Sequence, residues 1–204
     1  MTNPLSACHE LVVATSNPNK VRELTDLLKP LGIPIASLPT DVPLQPVVED
    51  GSTLQENARK KACGYARQTG RWVIADDTGL EVEVLDGAPG VRSARYAGDD
   101  ASMAMNLALL IEHMKDVPDP QRSARFVCHL CVADPDGNIA LEASGQCLGR
   151  IDRQPIGEFG FGYDSVFLIQ GTDRTLAEMD QQQTAQVGHR GQAARSLIAS
   201  WKTS

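Results

Sequence analysis

Lys20 stands at a place in the sequence where a lysine needs an explanation. It closes the polar run TSNPNK, which follows a short apolar run and leads directly into a helical pattern. Backbone N–H groups and the helix dipole attract an anion to the start of a helix, whereas the dipole disfavours a cation there. The run therefore predicts a phosphate site, although a capped helix with a solvated lysine would explain the same residues. It is not a Walker A loop, because GxxxxGKS and GxxxxGKT are both absent.

Two adjacent carboxylates, Asp76 and Asp77, follow the apolar run WVIA. Side chains alternate along a strand, so we expect the two to point to opposite sides, one toward a ligand and one toward supporting groups. A carboxylate at a strand end is a good ligand for Mg²⁺, or a base for a water molecule. The alternative is a plain turn, because Asp-Thr-Gly is typical of turns.

A third polar stretch, EDGSTLQENARKKA, combines acidic residues with a lysine-bearing helix. Glu49 and Asp50 precede a Gly turn, and Thr53 begins a capping-box pattern that predicts a helix. Lys61 lies on that helix and can face a different side from its lysine neighbour. The stretch therefore offers both carboxylates and a cation to a phosphate ligand.

Two later stretches contain residue types that can recognise a nucleobase. In GEFGFGYDSVF, glycines allow close approach to a flat ligand, aromatic rings can stack on a base, and Asp164 can accept hydrogen bonds from ring N–H groups. A glycine-rich bulge that packs its aromatics into the core is the alternative. His189 and Arg190 precede the last helical pattern, where they could contact a purine oxygen or a phosphate.

A mixed order of strands and helices must position these clusters. Hydrophobic periodicity predicts strands at residues 11–14, 72–75, 80–85, 125–133, 139–148 and 165–169. It predicts helices at residues 21–28, 53–69 and 101–114, and another from 191 onward. We therefore expect a single α/β domain over residues 1–204, with an elongated mixed β-sheet, flanking helices and two lobes around a central cleft.

Composition excludes several classes of protein. A formal net charge of −7 argues against a general nucleic-acid binder. No apolar run approaches the roughly 20 residues that a membrane-spanning helix needs, and the N-terminus lacks the pattern of a signal peptide. The five cysteines are an odd number and favour a reducing cytoplasm. The CHLC stretch has no second pair of metal ligands, so we interpret Cys128 and Cys131 as buried strand residues.

Taken together, five stretches resemble one family over almost the full length: ATSNPNKVREL, EDGSTLQENARKKA, IADDTGLEVEVLDGAPGVRSARYAG, GEFGFGYDSVF and GHRGQA. This is the inosine triphosphate pyrophosphatase family, whose members hydrolyse dITP, ITP and XTP and so remove deaminated purines from the nucleotide pool. The resemblance implies a homodimer and Mg²⁺-dependent cleavage between the α and β phosphates. The products are a nucleoside monophosphate and pyrophosphate.

The resemblance also implies which residues form the site. The triphosphate-binding segment is matched by Thr15, Ser16, Asn17, Pro18, Asn19 and Lys20. Asp77 matches the catalytic base and metal ligand, Thr78 follows it in the substrate site, and Lys61 matches a lysine on the phosphate side. Our hypothesis is that Lys20 and Lys61 stabilise the pyrophosphate leaving group. The residues that match those contacting the purine are Phe161, Gly162, Tyr163, Asp164, His189 and Arg190.

Two positions depart from the family pattern. The positions at which the family usually has two acidic residues ahead of the Gly turn are matched here by Val48 and Glu49, so Glu49, or Asp50 beside it, must supply the second Mg²⁺ ligand. A lysine usually stands five residues before the histidine, and here that position is Thr184. Two alternatives stay open: a related nucleotide pyrophosphatase with a different base preference, and a nucleotide-binding protein with reduced catalysis.

Overall fold

The computed structural model describes residues 4–203, and within them the chain forms six strands and five α-helices. The strands are β1 (Leu11–Val13), β2 (Ile35–Ser37), β3 (Val73–Val82), β4 (Ser123–Ala133), β5 (Ile139–Ile151) and β6 (Phe167–Ile169). The helices are α1 (Pro18–Leu28), α2 (Leu54–Thr69), α3 (Met103–Met114), α4 (Gln181–Val187) and α5 (His189–Thr203).

The strands form one mixed sheet in the order β2-β1-β3-β4-β5-β6. β1 pairs in parallel with β2 and with β3, whereas β5 and β6 pair in antiparallel fashion. The expected α/β class, with a mixed sheet and flanking helices, is confirmed. The chain divides into two compact units, each with a core of its own. The single domain and the central cleft stay predictions.

The first unit contains residues up to 77, residues 128–145 and residues from 190 onward. Helices cover both faces of its strands, so its strands bury apolar side chains on both sides. One face packs on α1 and α5 through Leu11, Val13 and Ile74, and the other packs on α2 through Val12, Val73 and Ala75. Successive residues of β3 therefore face different helices.

The second unit contains residues 78–127 and 146–189. Its core includes the rings of Phe126 and Phe167, whose centroids are 4.8 Å apart. The buried guanidinium of Arg122 donates hydrogen bonds to the carbonyl oxygens of Met114 and Ile151. Because buried donors need partners, these bonds tie the end of α3 to the end of β5.

Several local features differ from the sequence-based expectations. β3 runs unbroken through Asp76 and Asp77 to Val82, whereas the sequence predicts separate strands at residues 72–75 and 80–85. The end of the second predicted strand, Glu83–Leu85, instead forms a 3₁₀ turn that leads into left-handed backbone at Asp86 and Gly87. β2 and α4 are not predicted, because IAS is too short and QQQTAQV too polar to show a hydrophobic period.

Candidate active site

Asp76 and Asp77 point to opposite faces of β3, as the strand alternation predicts. Asp76 lies on the face covered by α1 and α5, where its Oδ2 is 3.0 Å from Lys20 Nζ and 3.3 Å from Arg190 Nη2. Asp77 lies on the face covered by α2, where its Oδ1 is 3.5 Å from Lys61 Nζ. One strand therefore presents a carboxylate to charged side chains on each of its two faces.

Asp76 is the centre of a buried ion-pair network. Its side chain is 0% exposed and that of Arg190 is 3% exposed, and Arg190 Nη1 also donates to Glu23 Oε2 at 2.6 Å. Burial disfavours the carboxylate anion, but the charges of Lys20 and Arg190 outweigh it and hold the pKa of Asp76 well below its usual range. Two carboxylates thus balance two cations on this face.

Lys20 reaches this network from the first turn of α1. The Oδ1 atom of Asn17 caps the helix by accepting a hydrogen bond from the N–H of Asn19 at 2.9 Å. Pro18 occupies the first helical position, where a backbone N–H would have no partner within the helix, so the lack of an N–H in proline costs nothing. Within the predicted triphosphate segment, Thr15, Asn17, Asn19 and Lys20 are half-buried, and Ser16 and Pro18 are exposed. The strand-to-helix turn is formed as expected, and its contact with phosphate stays a prediction.

Lys61 bridges two carboxylates on the α2 face. Its Nζ is 2.9 Å from Glu49 Oε2 and 3.5 Å from Asp77 Oδ1. Burial disfavours the ammonium, but the neighbouring carboxylates, Asp77 first, outweigh it and raise the pKa of Lys61. The pKa of Asp77 is also raised, chiefly by burial, because the attraction of Lys61 offsets only part of that effect. Asp77 Oδ2 is buried and accepts no hydrogen bond from any residue in the range 4–203.

Glu49, and not Asp50, faces this group of charges. Glu49 is half-buried beside Lys61, whereas Asp50 is exposed and pairs with Lys60. The hydrogen bond from Lys60 lowers the pKa of Asp50. Asp50 therefore pairs with a cation at the surface, whereas Glu49 is the carboxylate that lies beside Lys61, the lysine that also contacts Asp77.

The residues around Asp77 fit a divalent cation. One ammonium against two carboxylates leaves a net negative charge, and Asp77 Oδ2 has no N–H or O–H donor among residues 4–203. Over those residues no group of three or more His, Cys, Asp or Glu side chains is suited to a metal ion. Mg²⁺ is commonly held by one or two carboxylates and completes its shell with water and substrate phosphate oxygens. The donor set here is of that kind.

The predicted base-contacting residues form a tight turn in the second unit. Asp164 Oδ2 accepts a hydrogen bond from the N–H of Phe161 at 2.8 Å, and Gly162 adopts a φ of 71° that favours glycine. Tyr163 is buried, and its hydroxyl donates to the carbonyl oxygen of Ser93 at 2.8 Å. The carboxylate therefore closes the turn and the tyrosine anchors it in the core. Contact of these residues with a base stays a prediction.

His189 and Arg190 begin α5 but belong to different units. The His189 ring is buried and stacks on Phe126, with the ring centroids 4.8 Å apart and the planes 20° apart. Arg190 bonds to Asp76 and Glu23, a supporting role that the sequence does not predict. Their predicted contact with the purine is not tested by these bonds.

Glu23 is the site residue that sequence analysis misses. It lies three positions after Lys20 on α1, and residues at this spacing share a helix face. That spacing places Glu23 on the same helix face as Lys20, but no local pattern of the sequence indicates its pairing with Arg190. Thr78 follows Asp77 in β3 and is half-buried, and Thr184 lies in α4.

The cysteines of the CHLC stretch lie apart from this chemistry. Cys128 packs in the core shared with α1 and α5, whereas Cys131 packs in the core shared with α2, because residues three apart in a strand face opposite sides. Neither cysteine forms a disulfide, and burial raises the pKa of Cys131 to about 12. Their interpretation as buried strand residues is confirmed.

Several known proteins resemble this chain over most of its length. The profile of the Ham1 family matches residues 11–200. A dITP/XTP pyrophosphatase of Exiguobacterium sp. is 47% identical over 191 residues, which cover 93% of this chain and 95% of the relative. The dITP/XTP pyrophosphatase of Escherichia coli K12 is 44% identical over 190 residues, which cover 93% and 96% respectively. The structure of a HAM1 protein from Coxiella burnetii is 37% identical, with a TM-score of 0.86 and coverage of 96% and 99%.

Proposed function

Because this chain belongs to the Ham1 family, we propose that it hydrolyses the non-standard purine nucleotides dITP, ITP and XTP to the nucleoside monophosphate and pyrophosphate. The observation that carries the proposal is the buried carboxylate of Asp77, held beside Lys61 and Glu49. The substrate class comes from the relatives, which are named dITP/XTP pyrophosphatases and match over nearly their whole length.

Asp77 is the base in the proposed reaction. Its Oδ2 takes a proton from a water molecule as the water oxygen attacks the α-phosphorus. The new O–P bond forms while the bond from the α-phosphorus to the bridging oxygen breaks, and that electron pair leaves with pyrophosphate. Burial raises the pKa of Asp77, so its carboxylate accepts a proton more readily than an exposed aspartate would.

Lys20 and Lys61 supply positive charge to the leaving group. Each ammonium is already held by carboxylates, Lys20 by Asp76 and Lys61 by Glu49 and Asp77. Charges that are fixed in advance need no reorganisation when negative charge develops in the transition state. Asp76 acts on the reaction through Lys20, because it is buried behind that side chain.

Glu49 and Asp77 are the proposed protein ligands of a Mg²⁺ ion. When bound, the ion neutralises charge on the phosphate oxygens. The chain's own contribution is made by Lys61, which holds both carboxylates at one place through contacts of 2.9 and 3.5 Å. The resulting net negative charge attracts a cation to that place.

Base selection in this proposal follows from hydrogen-bond complementarity. A 6-oxo purine has an acceptor at O6 and a donor at N1, whereas adenine reverses both. Each mispaired buried polar group costs roughly 1–3 kcal/mol, so two reversals give about a hundredfold preference or more over ATP. The proposed partners of O6 are His189 or backbone N–H groups.

Pyrophosphate release from a panel of nucleotides tests the proposal. We expect rapid release from dITP and XTP in the presence of Mg²⁺, and release from dATP slower by about a hundredfold or more. Faster turnover of dUTP than of dITP would select a pyrophosphatase with a different base preference. Tight binding of dITP with no release at saturating Mg²⁺ would select a binding protein.

A homodimer and a location in the cytoplasm are further parts of the proposal. The homodimer comes from the family resemblance, and the location in the cytoplasm comes from the cysteine content. No helix within residues 4–203 has the length and apolar character needed to cross a membrane. Sedimentation velocity should give twice the mass of one chain, and the mass of one chain would reject the dimer.

A further inference from the structure

Residues 45–52, which we call the strap, lie along one side of α2. The strap has no regular secondary structure, yet it contacts the helix at four successive places. These contacts join Gln45 to Gln68, Val47 to Gly64, Glu49 to Lys61 and Gly51 to Asn57. Residue numbers rise along the strap as they fall along the helix, so the two segments run antiparallel.

The strap pairs every second residue with a successive turn of α2. Two residues of extended chain advance about 6.6 Å, and one helical turn advances about 5.4 Å, so the two repeats stay nearly in step over four contacts. Exposure alternates in the same way: Val47 and Glu49 are half-buried, whereas Val48 and Asp50 are exposed. The odd-numbered strap residues therefore face the helix.

The tightest contact of the strap is at Gly64. A Cβ atom added to Gly64 would lie 2.6 Å from Cγ2 and 3.2 Å from Cγ1 of Val47. Protein interiors do not accommodate carbon atoms at 2.6 Å, so Val47 occupies the space that any other residue would need at position 64. Glycine within a helix is less favourable than alanine, because it loses more backbone freedom on folding. This glycine therefore serves the seating of the strap and not the stability of the helix.

Gln68 holds the far end of the strap. Its side-chain amide donates to the carbonyl oxygen of Gln45 at 3.0 Å and accepts from the N–H of Gln45 at 2.7 Å. Gln68 is exposed and lies roughly 10 Å along the helix from Lys61. It can therefore influence the site only through the strap.

We infer that Val47, Gly64 and Gln68 are positioning residues, which fix the register of the strap on α2 and so place Glu49 where it can join Asp77 at a divalent ion. The inference takes only the metal ion from the proposed function. The packing of the strap on α2 does not depend on that function. A loose strap would have to become ordered when the ion binds, and the lost conformational entropy would weaken binding. Turnover at saturating metal should change little.

Gly64→Ala tests the inference in the full chain. Alanine favours the helix, so the variant should fold with no loss of thermal midpoint. In the metal-free protein, amide hydrogen exchange over residues 45–52 should be about threefold faster or more than in the wild type. Binding of Mn²⁺, followed by the electron paramagnetic resonance of the free ion, should weaken about threefold to tenfold because the competent state is less populated.

Val47→Ala supplies the rescue. It removes the two methyl groups that a Cβ at position 64 would meet at 2.6 and 3.2 Å and leaves the Cβ of residue 47 at 3.5 Å, an ordinary packing distance. The strap therefore stays packed on the helix, and the double variant should regain wild-type exchange and Mn²⁺ affinity. Gln68→Ala should show a smaller change in the same direction. Arg67→Ala is its matched control, because this adjacent side chain donates to the carbonyl oxygen of Gly137 and not to the strap.

The outcomes separate the inference from the proposed function. Wild-type exchange and wild-type Mn²⁺ affinity in Gly64→Ala would overturn the inference, and so would a defect that Val47→Ala does not correct. Faster exchange with unchanged Mn²⁺ affinity would overturn the link from the strap to the ion. A wild-type protein that releases no pyrophosphate from dITP would instead overturn the proposed function and leave the exchange results standing.

Discussion

Asp76 and Asp77 are identical residues in adjacent positions, yet their surroundings give them opposite properties. Asp76 is fully buried between two cations, Lys20 and Arg190. Asp77 shares one cation, Lys61, with a second carboxylate. Their pKa values shift in opposite directions: the cations around Asp76 lower its pKa despite burial, whereas burial raises that of Asp77.

The difference comes from the two faces of one strand. On the α1 and α5 face, two cations balance two carboxylates, so the charges satisfy one another and hold Lys20 in place. On the α2 face, one cation lies against two carboxylates, which leaves a net negative charge and an oxygen of Asp77 without a hydrogen-bond donor among residues 4–203. In the proposed reaction, strand alternation therefore makes Asp76 the supporting carboxylate and Asp77 the reactive one.

Replacing Asp77 should give the largest loss of activity. Asp77→Asn keeps the shape of the side chain but removes its charge and its capacity to take a proton, so pyrophosphate release from dITP should fall by roughly 10³-fold or more. Because burial opposes the charge of Asp77, the free energy of unfolding should not fall. Near-normal turnover in steady-state assays would reject Asp77 as the base.

Replacing Asp76 should act on stability. Asp76→Asn leaves Lys20 and Arg190 without their shared carboxylate, and removing one partner of a buried ion pair costs about 3–5 kcal/mol. Urea unfolding of the Asp76→Asn and Asp77→Asn variants, measured side by side, compares their free energies of unfolding directly. Equal stability of the two variants would contradict the distinction between the two faces.

Removing the ammonium of Lys20 should weaken catalysis by less. In Lys20→Ala the leaving group loses one fixed positive charge, and kcat/KM for dITP should fall by about 10²-fold. The fold should survive, because Arg190 still accompanies Asp76. An unchanged rate at low dITP concentration would show that the ammonium of Lys20 pairs with Asp76 but does not stabilise the leaving group.

The smallest expected effect is a change in the stabilisation by Asp76 as the pH is lowered. Its folded pKa is lowered, so its stabilisation is fully present above the unfolded value and is lost as pH falls below that value. The difference in unfolding free energy between wild type and Asp76→Asn should shrink by about 1.4 kcal/mol per pH unit below about pH 3.9. Unfolding at pH 7, 5, 4 and 3 measures this, and a constant difference would contradict the lowered pKa.

Local patterns predict several parts of the site correctly. The helix that starts after Thr53 and the opposite directions of Asp76 and Asp77 both follow from the chemistry of a few neighbouring residues. Such features depend on short-range geometry, which a single sequence displays. The mixed α/β sheet follows in the same way from the alternation of strand and helix patterns.

Features that depend on residues far apart in the chain could not be predicted from the sequence. Glu23 meets Arg190 across 167 positions, and nothing in either local pattern links them. The strap is equally hidden, because its contacts with α2 replace regular secondary structure and leave no hydrophobic period. The sequence also does not show that Glu49 pairs with Lys61 while Asp50 pairs with Lys60 at the surface.

Hydrolysis of dITP by the wild-type protein in ¹⁸O-labelled water tests the central claim most directly. Mass spectrometry of the products shows which phosphorus the water attacks. The proposed reaction at Asp77 predicts one ¹⁸O atom in dIMP and none in pyrophosphate. Label in pyrophosphate, or release of orthophosphate in place of pyrophosphate, would contradict attack at the α-phosphorus.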